Sequence, residues 1–176
     1  MGTRLRNEAQ VRRFLLGQPQ LVFALDYVLG KIYEKNADVI ERIIYRAYSP
    51  QTYERTHEFK DAWGNDKPKV TGNHIRGKFE YEPDNMEANP PTNDMPMGQH
   101  YGVGSWGDSR EYLAEIIYEG LAGPAFGDGS WRKKRDAWDL LCKEVDGDVI
   151  AKWFAEGCTK AGLNVKFIGS RGMDLK

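Results

Sequence analysis

Cysteine is scarce in this chain, and long apolar runs are missing from it. The only two cysteines, Cys142 and Cys158, form neither a disulfide framework nor a CxxC metal motif. The longest apolar stretch, Leu21–Leu25, is far shorter than the roughly 20 residues that span a bilayer. Only Phe14–Leu16 follow the first arginines, too few for a secretion signal. We therefore expect a soluble protein of a reducing compartment, without a membrane partner.

An excess of either charge is also absent. The sequence has 25 Lys+Arg against 26 Asp+Glu, a formal net charge of -1, which excludes general binding to nucleic acid through overall positive charge. Its 40% hydrophobic and 12% aromatic residues make the composition too apolar for a disordered chain. A length of 176 residues is enough for one domain with its own core.

Motifs that carry chemistry are few. His57, His74 and His100 lie far apart, and none has a second histidine at metal-ligand spacing. Gly102–Gly107 fits G-x-G-x-x-G, but Pro96–His100 before it does not resemble the buried strand that a dinucleotide site requires. We predict no catalytic residue, no cofactor and no metal. A nucleotide-binding enzyme that uses Gly102–Gly107 is the alternative from another class.

Hydrophobic periodicity predicts an α+β fold. A long amphipathic helix is predicted over Leu21–Ala47, and alternation predicts a half-buried strand over His74–Tyr81. The interruption of this strand by Gly77 indicates a bulge or a close backbone approach. Further elements are a return strand at Tyr101–Ser105, a helix opened by the Asp108 and Glu111 capping box, helices over Arg132–Val145 and Asp148–Ala161, and a last strand over Asn164–Ile168. The fold is then a long N-terminal helix, a small antiparallel sheet and C-terminal helices packed on one face.

The predicted organisation is a basic arm over 1–20, a single domain over 21–170 and a tail over 171–176. Within the domain, the loop 82–100 holds four of the eight prolines and four acidic residues, but no Lys or Arg. Loops of this length are usually functional or disordered. We expect this loop to contact another subunit, with Pro90, Pro91 and Pro96 as its interface residues.

Two basic segments are further candidate interaction surfaces. In the arm, these are Arg4, Arg6, Arg12 and Arg13, and a floppy terminus is the alternative. The second segment is Arg132, Lys133, Lys134 and Arg135 at the start of a predicted helix, where positive charge opposes the helix dipole. An acidic partner or a phosphate backbone would compensate for that, and a solvated helix turn is the alternative.

Four motifs, in their order along the chain, resemble the tail-completion, or head–tail joining, proteins of tailed bacteriophages. In the first, Tyr45–Thr56, a long helix ends in a Y-x-P-x-x-Y-x-R-T stretch. The others are the Thr71–Asn73 turn before an alternating strand, the aromatic-basic-aromatic block Trp131–Trp138 and the helix-to-strand turn Gly162–Val165. Together they span Leu21–Ile168, whereas the proline-rich loop and the arginine-rich arm depart from the family pattern.

The resemblance implies a structural protein without enzymatic activity, a subunit of a homo-oligomeric ring in the virion neck. It is then located in the host cytoplasm during assembly. Its implied partners are a portal, adaptor or head-closure protein on one side and a tail terminator or tail tube on the other. Non-specific contact with genome DNA in the lumen is a further possibility, and a tail terminator or head-closure subunit is the alternative role. The resemblance also suggests a joint between helix and sheet, with core packing as the alternative, made of Tyr48, Tyr53, Arg55 and Trp63.

Overall fold

The computed structural model describes residues 7–47, 57–86, 114, 117–118, 134–163 and 165. Its helices are α1 (Glu8–Leu16), α2 (Pro19–Ile40), the four-residue α3 (Glu58–Asp61), α4 (Ala137–Glu144) and α5 (Gly147–Lys160), and its strands are β1 (Trp63–Thr71) and β2 (His74–Tyr81). A π-helical turn, Glu41–Tyr45, continues α2, and a 3-10 turn, Pro83–Asn85, follows β2. These elements confirm the predicted α+β fold class.

The long helix α2 is the predicted amphipathic helix with shifted ends. It begins at Pro19, where proline suits the first turn of a helix because the N–H that it lacks has no partner there. Regular α-helix ends at Ile40, and the Arg46 N–H donates to the Glu41 carbonyl across the π turn at 3.0 Å. The buried side chains are Ala24, Val28, Leu29, Asn36, Val39 and Ile40. Helical spacing of apolar residues predicts one buried face made of Leu25, Leu29, Ile32, Ile40, Ile43 and Ala47. Of this set, Leu29 and Ile40 are buried, whereas Ala47 is exposed.

Strands β1 and β2 form a two-stranded antiparallel sheet joined by a two-residue turn. Gly72 in that turn has φ +58, a conformation that favours glycine. Strand β2 has the predicted bounds, and Ile75, Phe79 and Tyr81 are half-buried as the alternation predicts. Strand β1 was not predicted, because most of its residues are polar and Pro68 interrupts it. The expected return strand at Tyr101–Ser105 lies outside the described residues.

Capping interactions mark both ends of the C-terminal helix α5. Helix α5 begins after Asp146, whose Oδ1 accepts a hydrogen bond from the Val149 N–H at 2.8 Å. It ends at Lys160, one residue before the predicted end at Ala161, and Gly162 follows with φ +85, while the Leu163 N–H donates to the Cys158 carbonyl at 2.9 Å. The helix opened by Asp108, the strand over Asn164–Ile168 and the tail fall largely or entirely outside the described residues.

The chain divides into two compact units, and the predicted domain 21–170 covers parts of both. The first unit comprises Met1–Lys35, Asn65–Glu80 and Cys142–Lys176, and the second comprises Asn36–Gly64 and Tyr81–Leu141. In the first unit, α5 packs closely on α2 where Gly157 faces Ala24. There too, Leu29 Cδ1 lies 2.5 Å from where a Cβ on Gly77 would be, so a side chain approaches this glycine where a bulge or a close backbone approach was predicted.

Candidate interaction surfaces

Three of the predicted interface residues have described side chains: Arg13, Lys134 and Arg135. Arg12 belongs to α1, but its side chain is outside the described set. The remaining predicted positions, Arg4, Arg6, Pro90, Pro91, Pro96, Arg132 and Lys133, lie outside the described residues, as do Gly102–Gly107 and most of Tyr45–Thr56. Their assignments therefore stay predictions.

The basic arm contains helix α1, which also presents apolar side chains to solvent. Asn7 caps the helix, since its Oδ1 accepts a hydrogen bond from the Gln10 N–H at 2.9 Å. At the other end, Phe14 is 48% exposed and Leu15 is 45% exposed, next to the exposed Arg13. This helix was not predicted from the sequence. Its signal was the capping Asn7 before apolar residues at helical spacing.

The basic quartet does not open a helix in the way that was predicted. Helix α4 begins at Ala137, and the Leu140 N–H donates to the Asp136 carbonyl at 2.9 Å, so Lys134 and Arg135 precede the helix. Lys134 Nζ lies 3.5 Å from an oxygen of Asp136 and 3.4 Å from one of Asp139. Carboxylates suit the positive end of a helix, and these two also compensate Lys134. For Lys134, these carboxylates therefore offset the expected conflict with the helix dipole.

Aromatic rings form a cluster in the second unit, and its centre is Trp63. The ring centroid of Trp63 lies 5.5 Å from that of Tyr81, 6.2 Å from that of Tyr118 and 5.6 Å from that of Trp138. The Trp63 and Trp138 planes are 18° apart, a stacked arrangement. Phe59 adds an edge-on contact to Trp63 at 6.3 Å. The two sides of this cluster differ, because Trp63 is buried whereas Trp138 is 41% exposed.

The spacing of Ala137, Trp138, Leu141 and Val145 predicts that all four lie on the apolar face of the helix, and the exposure of Trp138 corrects this prediction. Ala137 and Leu141, assigned to the same face, are buried, as is Val145 just beyond α4. Trp138 instead stacks on Trp63 of β1 while much of its indole stays accessible. The sequence carries no signal for this arrangement, because it depends on a strand that is distant in the chain.

Tyr118 has a buried hydroxyl in the same cluster. Its Oη has no hydrogen-bond partner among the described residues. Burial of the phenol, and to a smaller extent the neighbouring Tyr81, raises the pKa of Tyr118 far above its ordinary value. The phenol is thus held neutral, and nothing in this geometry equips it for proton transfer near neutral pH.

Tyr45 and His57 form the described part of the corner after α2. The Tyr45 hydroxyl donates to the His57 carbonyl at 2.8 Å and accepts from the Lys60 N–H at 3.1 Å. The two rings meet edge to face, with centroids 4.3 Å apart. This contact supports the left-handed backbone of His57, whose φ of 63° is uncommon outside glycine. The predicted joint between helix and sheet consists of other residues. Of these, only Trp63 is described, and it packs in the aromatic cluster.

The first residues of the predicted long loop, 82–86, make hydrogen bonds and packing contacts within the second unit. The Glu82 N–H donates to the Ala62 carbonyl at 2.6 Å, and Asn85 Nδ2 donates to a Glu82 carboxylate oxygen at 2.9 Å. Met86 is buried, with its sulfur 4.0 Å from the Tyr81 hydroxyl. Five residues of the predicted loop thus belong to the second unit, while 87–100 lie outside the described residues.

The described parts of the chain offer no metal cluster. Among them, no group of three or more His, Cys, Asp and Glu residues is placed to hold an ion. Both cysteines lie on or beside apolar faces of predicted helices, which favours core filling over catalysis. Cys158 is buried, as this predicts, whereas Cys142 is exposed, contrary to the prediction. Of the helices described, none has the length and apolar character needed to cross a bilayer.

Comparisons of the chain with protein-family models, curated proteins and solved structures gave no match. The functional argument therefore depends on the sequence motifs and on the two surfaces described above. These are the α1 surface, formed by Arg13, Phe14 and Leu15, and the Trp138 surface, formed by Asp136, Trp138 and Asp139.

Proposed function

We propose that this chain is a structural protein of a tailed bacteriophage, located in the virion neck, where it completes the tail and joins it to the capsid connector. It acts there as one subunit of a ring and has no enzymatic activity. The observation that carries the proposal is the ordered set of four motifs between Tyr45 and Val165. Its partners are further copies of itself, a portal, adaptor or head-closure protein on the head side, and a tail terminator or tail tube on the tail side.

The chemistry of the described surfaces supports a role in assembly. A subunit of a cyclic ring needs two different contact surfaces, one for each neighbour. The α1 surface combines a cation with exposed apolar side chains, and the Trp138 surface combines an indole with carboxylates. Aromatic residues and arginine are enriched at protein interfaces. The carboxylates around Trp138 make this surface a poor site for a DNA phosphate backbone.

A genetic test of the proposal is to inactivate the gene in the bacteriophage genome that carries it. We expect DNA-filled heads and separate tails in electron micrographs, and loss of plaques, both restored by the parent chain supplied from a plasmid. A silent change at the same codon is the matched control. Joined, infectious particles at the parental level without the protein would contradict the proposal.

A second measurement addresses the alternative enzyme. The melting temperature of the purified protein is recorded with and without ATP or NAD. Ligand binding at a hundredfold excess over Kd would stabilise the fold by about 2.7 kcal/mol. We expect no shift, and a clear rise would favour a nucleotide site at Gly102–Gly107.

A further inference from the structure

We infer that the α1 surface of one copy docks on the Trp138 surface of a second copy, and that this head-to-tail contact builds the ring. The inference depends on the proposed function, in which copies of this chain assemble with one another. The two surfaces lie on different elements, α1 and α4, so the contact is heterologous. Heterologous contacts between identical subunits generate closed rings or open chains.

Helix α1 has a physical reason to bind a partner. It has nine residues, and a helix of that length is marginal in water unless an apolar side packs against something. Phe14 and Leu15 are nevertheless about half exposed in the single chain. Covering Phe14 alone would remove roughly 100 Å² of apolar surface from water, since a phenylalanine buries about 150–250 Å² in full. The partner that covers this side therefore also stabilises the helix.

The Trp138 surface is suited to accept apolar side chains. Its indole is stacked on the buried Trp63, which fixes the orientation of the exposed part. A side chain that is already fixed loses little conformational entropy on binding. Exposed tryptophan held in this way is typical of the residues that dominate interface energies.

Charge complementarity selects α1 as the occupant. Asp136 and Asp139 are more than half exposed on either side of Trp138 in the sequence. Lys134 approaches one oxygen of each, and a carboxylate can accept several further hydrogen bonds. Arg13 directly precedes Phe14, about 100° around α1, and its long side chain can reach these carboxylates when Phe14 and Leu15 dock on the indole. Arginine and carboxylate form strong charge-assisted hydrogen bonds.

The size of the contact predicts how assembly behaves. A contact centred on Phe14, Leu15 and Trp138 is smaller than the roughly 800 Å² per partner of a standard stable interface. A single pair of copies should therefore bind weakly, and a closed ring gains from making many such contacts together. We expect assembly that grows with protein concentration.

Mixing two variants gives the sharpest test. One variant carries Phe14→Ser with Leu15→Ser, and the other carries Trp138→Ser. In sedimentation velocity, each alone should stay monomeric at concentrations where the parent assembles. An equimolar mixture at concentrations well above those at which the parent assembles should form dimers and nothing larger, because each variant keeps only one intact surface and a single contact binds more weakly than a closed ring. Val70→Ser is the matched control, since Val70 is 48% exposed on β1 and lies outside both surfaces; it should assemble like the parent.

Charge reversal provides a second test that leaves the aromatic cluster intact. Arg13→Glu or Asp139→Arg alone should weaken assembly by roughly tenfold, which corresponds to about 1.4 kcal/mol. Both changes in one chain should restore it, because the pair of charges is exchanged. If Trp138→Ser does not fold, as judged by circular dichroism, the loss of assembly in each charge-reversal variant and its recovery in the double variant test the contact on their own.

Several outcomes would overturn the inference. These are a parent that stays monomeric at high micromolar concentration, variants that assemble like the parent, a mixture without dimers, and Val70→Ser acting as strongly as the surface variants. Complementation of the inactivated bacteriophage separates this inference from the proposed function. If the Phe14→Ser and Leu15→Ser chain restores joined particles as the parent does, the contact is wrong and the neck function stands. If the parent itself restores nothing, the proposed function fails.

Discussion

The two units of the molecule are packed in opposite ways. In the first, Gly157 of α5 faces Ala24 of α2 so closely that a Cβ would lie 2.8 Å from the Ala24 Cα and 3.0 Å from its carbonyl oxygen. In the second, large rings meet at centroid distances of 5.5 to 6.3 Å around Trp63. The first contact depends on the absence of a side chain, whereas the second depends on the presence of several.

This difference indicates where each unit tolerates change. Backbone atoms at a close helix contact cannot move aside independently, so an added methyl group forces the helices apart. The ring cluster contains a hydroxyl without a partner among the described residues and an indole that is partly exposed. We therefore expect that adding a methyl group at the close helix contact destabilises the first unit. In the second unit, removal of the Tyr118 hydroxyl should cost little stability.

The largest expected effect is in the first unit. Gly157→Ala should lower the free energy of unfolding by about 1–3 kcal/mol, the usual cost of overpacking, even though alanine favours a helix over glycine by about 1 kcal/mol. The control is Gly30→Ala in α2, where an added Cβ has no atom within 4 Å. This control should gain about 0.5–1 kcal/mol. The measurement is the midpoint of urea unfolding, and equal midpoints for the two variants would mean that α2 and α5 do not approach so closely.

Sequence periodicity predicted those parts of the fold in which local pattern and burial agree. The apolar spacing of α2 predicted a long helix, and the alternation of β2 predicted a strand. Gly162 marked the turn that follows α5. Strand β1 was not predicted because most of its side chains are polar, so the sequence shows no alternation of apolar and polar residues there. The start of α4 was placed too early because the charged run was included, although Asp136 and Asp139 carry the capping signal.

The candidate surfaces were less accessible to sequence reasoning. The arm was predicted as a charged segment, and the exposure of Phe14 and Leu15 follows only from the path of the folded chain. The exposure of Trp138 depends on its stacking on Trp63, a long-range contact that no local pattern encodes. Only the basic residues were recognisable as surface features, because charge is assigned to solvent regardless of fold.

The second-largest expected effect concerns the Tyr45 hydroxyl, which both donates and accepts a hydrogen bond. Tyr45→Phe should lower the free energy of unfolding by about 0.5–1.5 kcal/mol, because the His57 carbonyl and the Lys60 N–H lose the hydroxyl and keep only their hydrogen bond to each other at 3.3 Å. The ring contact with His57 is kept in this variant, so the change isolates the hydrogen bonds. Urea unfolding at neutral pH measures it. A variant as stable as the parent would mean that water replaces the hydroxyl without loss.

For Tyr118→Phe we expect the smallest change in the free energy of unfolding at neutral pH. At alkaline pH we expect a separate effect on stability. The removed hydroxyl has no partner among the described residues, so the free energy of unfolding at neutral pH should change by less than about 0.5 kcal/mol. In the folded chain the pKa of Tyr118 is raised, mainly by burial, above the value of about 10 that a tyrosine has when unfolded.

The sign of the alkaline effect follows from linkage. Because the unfolded chain releases this proton more readily, the contribution of Tyr118 to stability is full below about pH 10 and is lost as pH rises towards the folded pKa. Tyr118→Phe removes that loss, so the variant should lose less stability than the parent between about pH 9 and pH 11. Tyr45→Phe is the control for a general tyrosine effect. An identical alkaline decline in Tyr118→Phe and the parent would show that the phenol at Tyr118 reaches water in the folded protein.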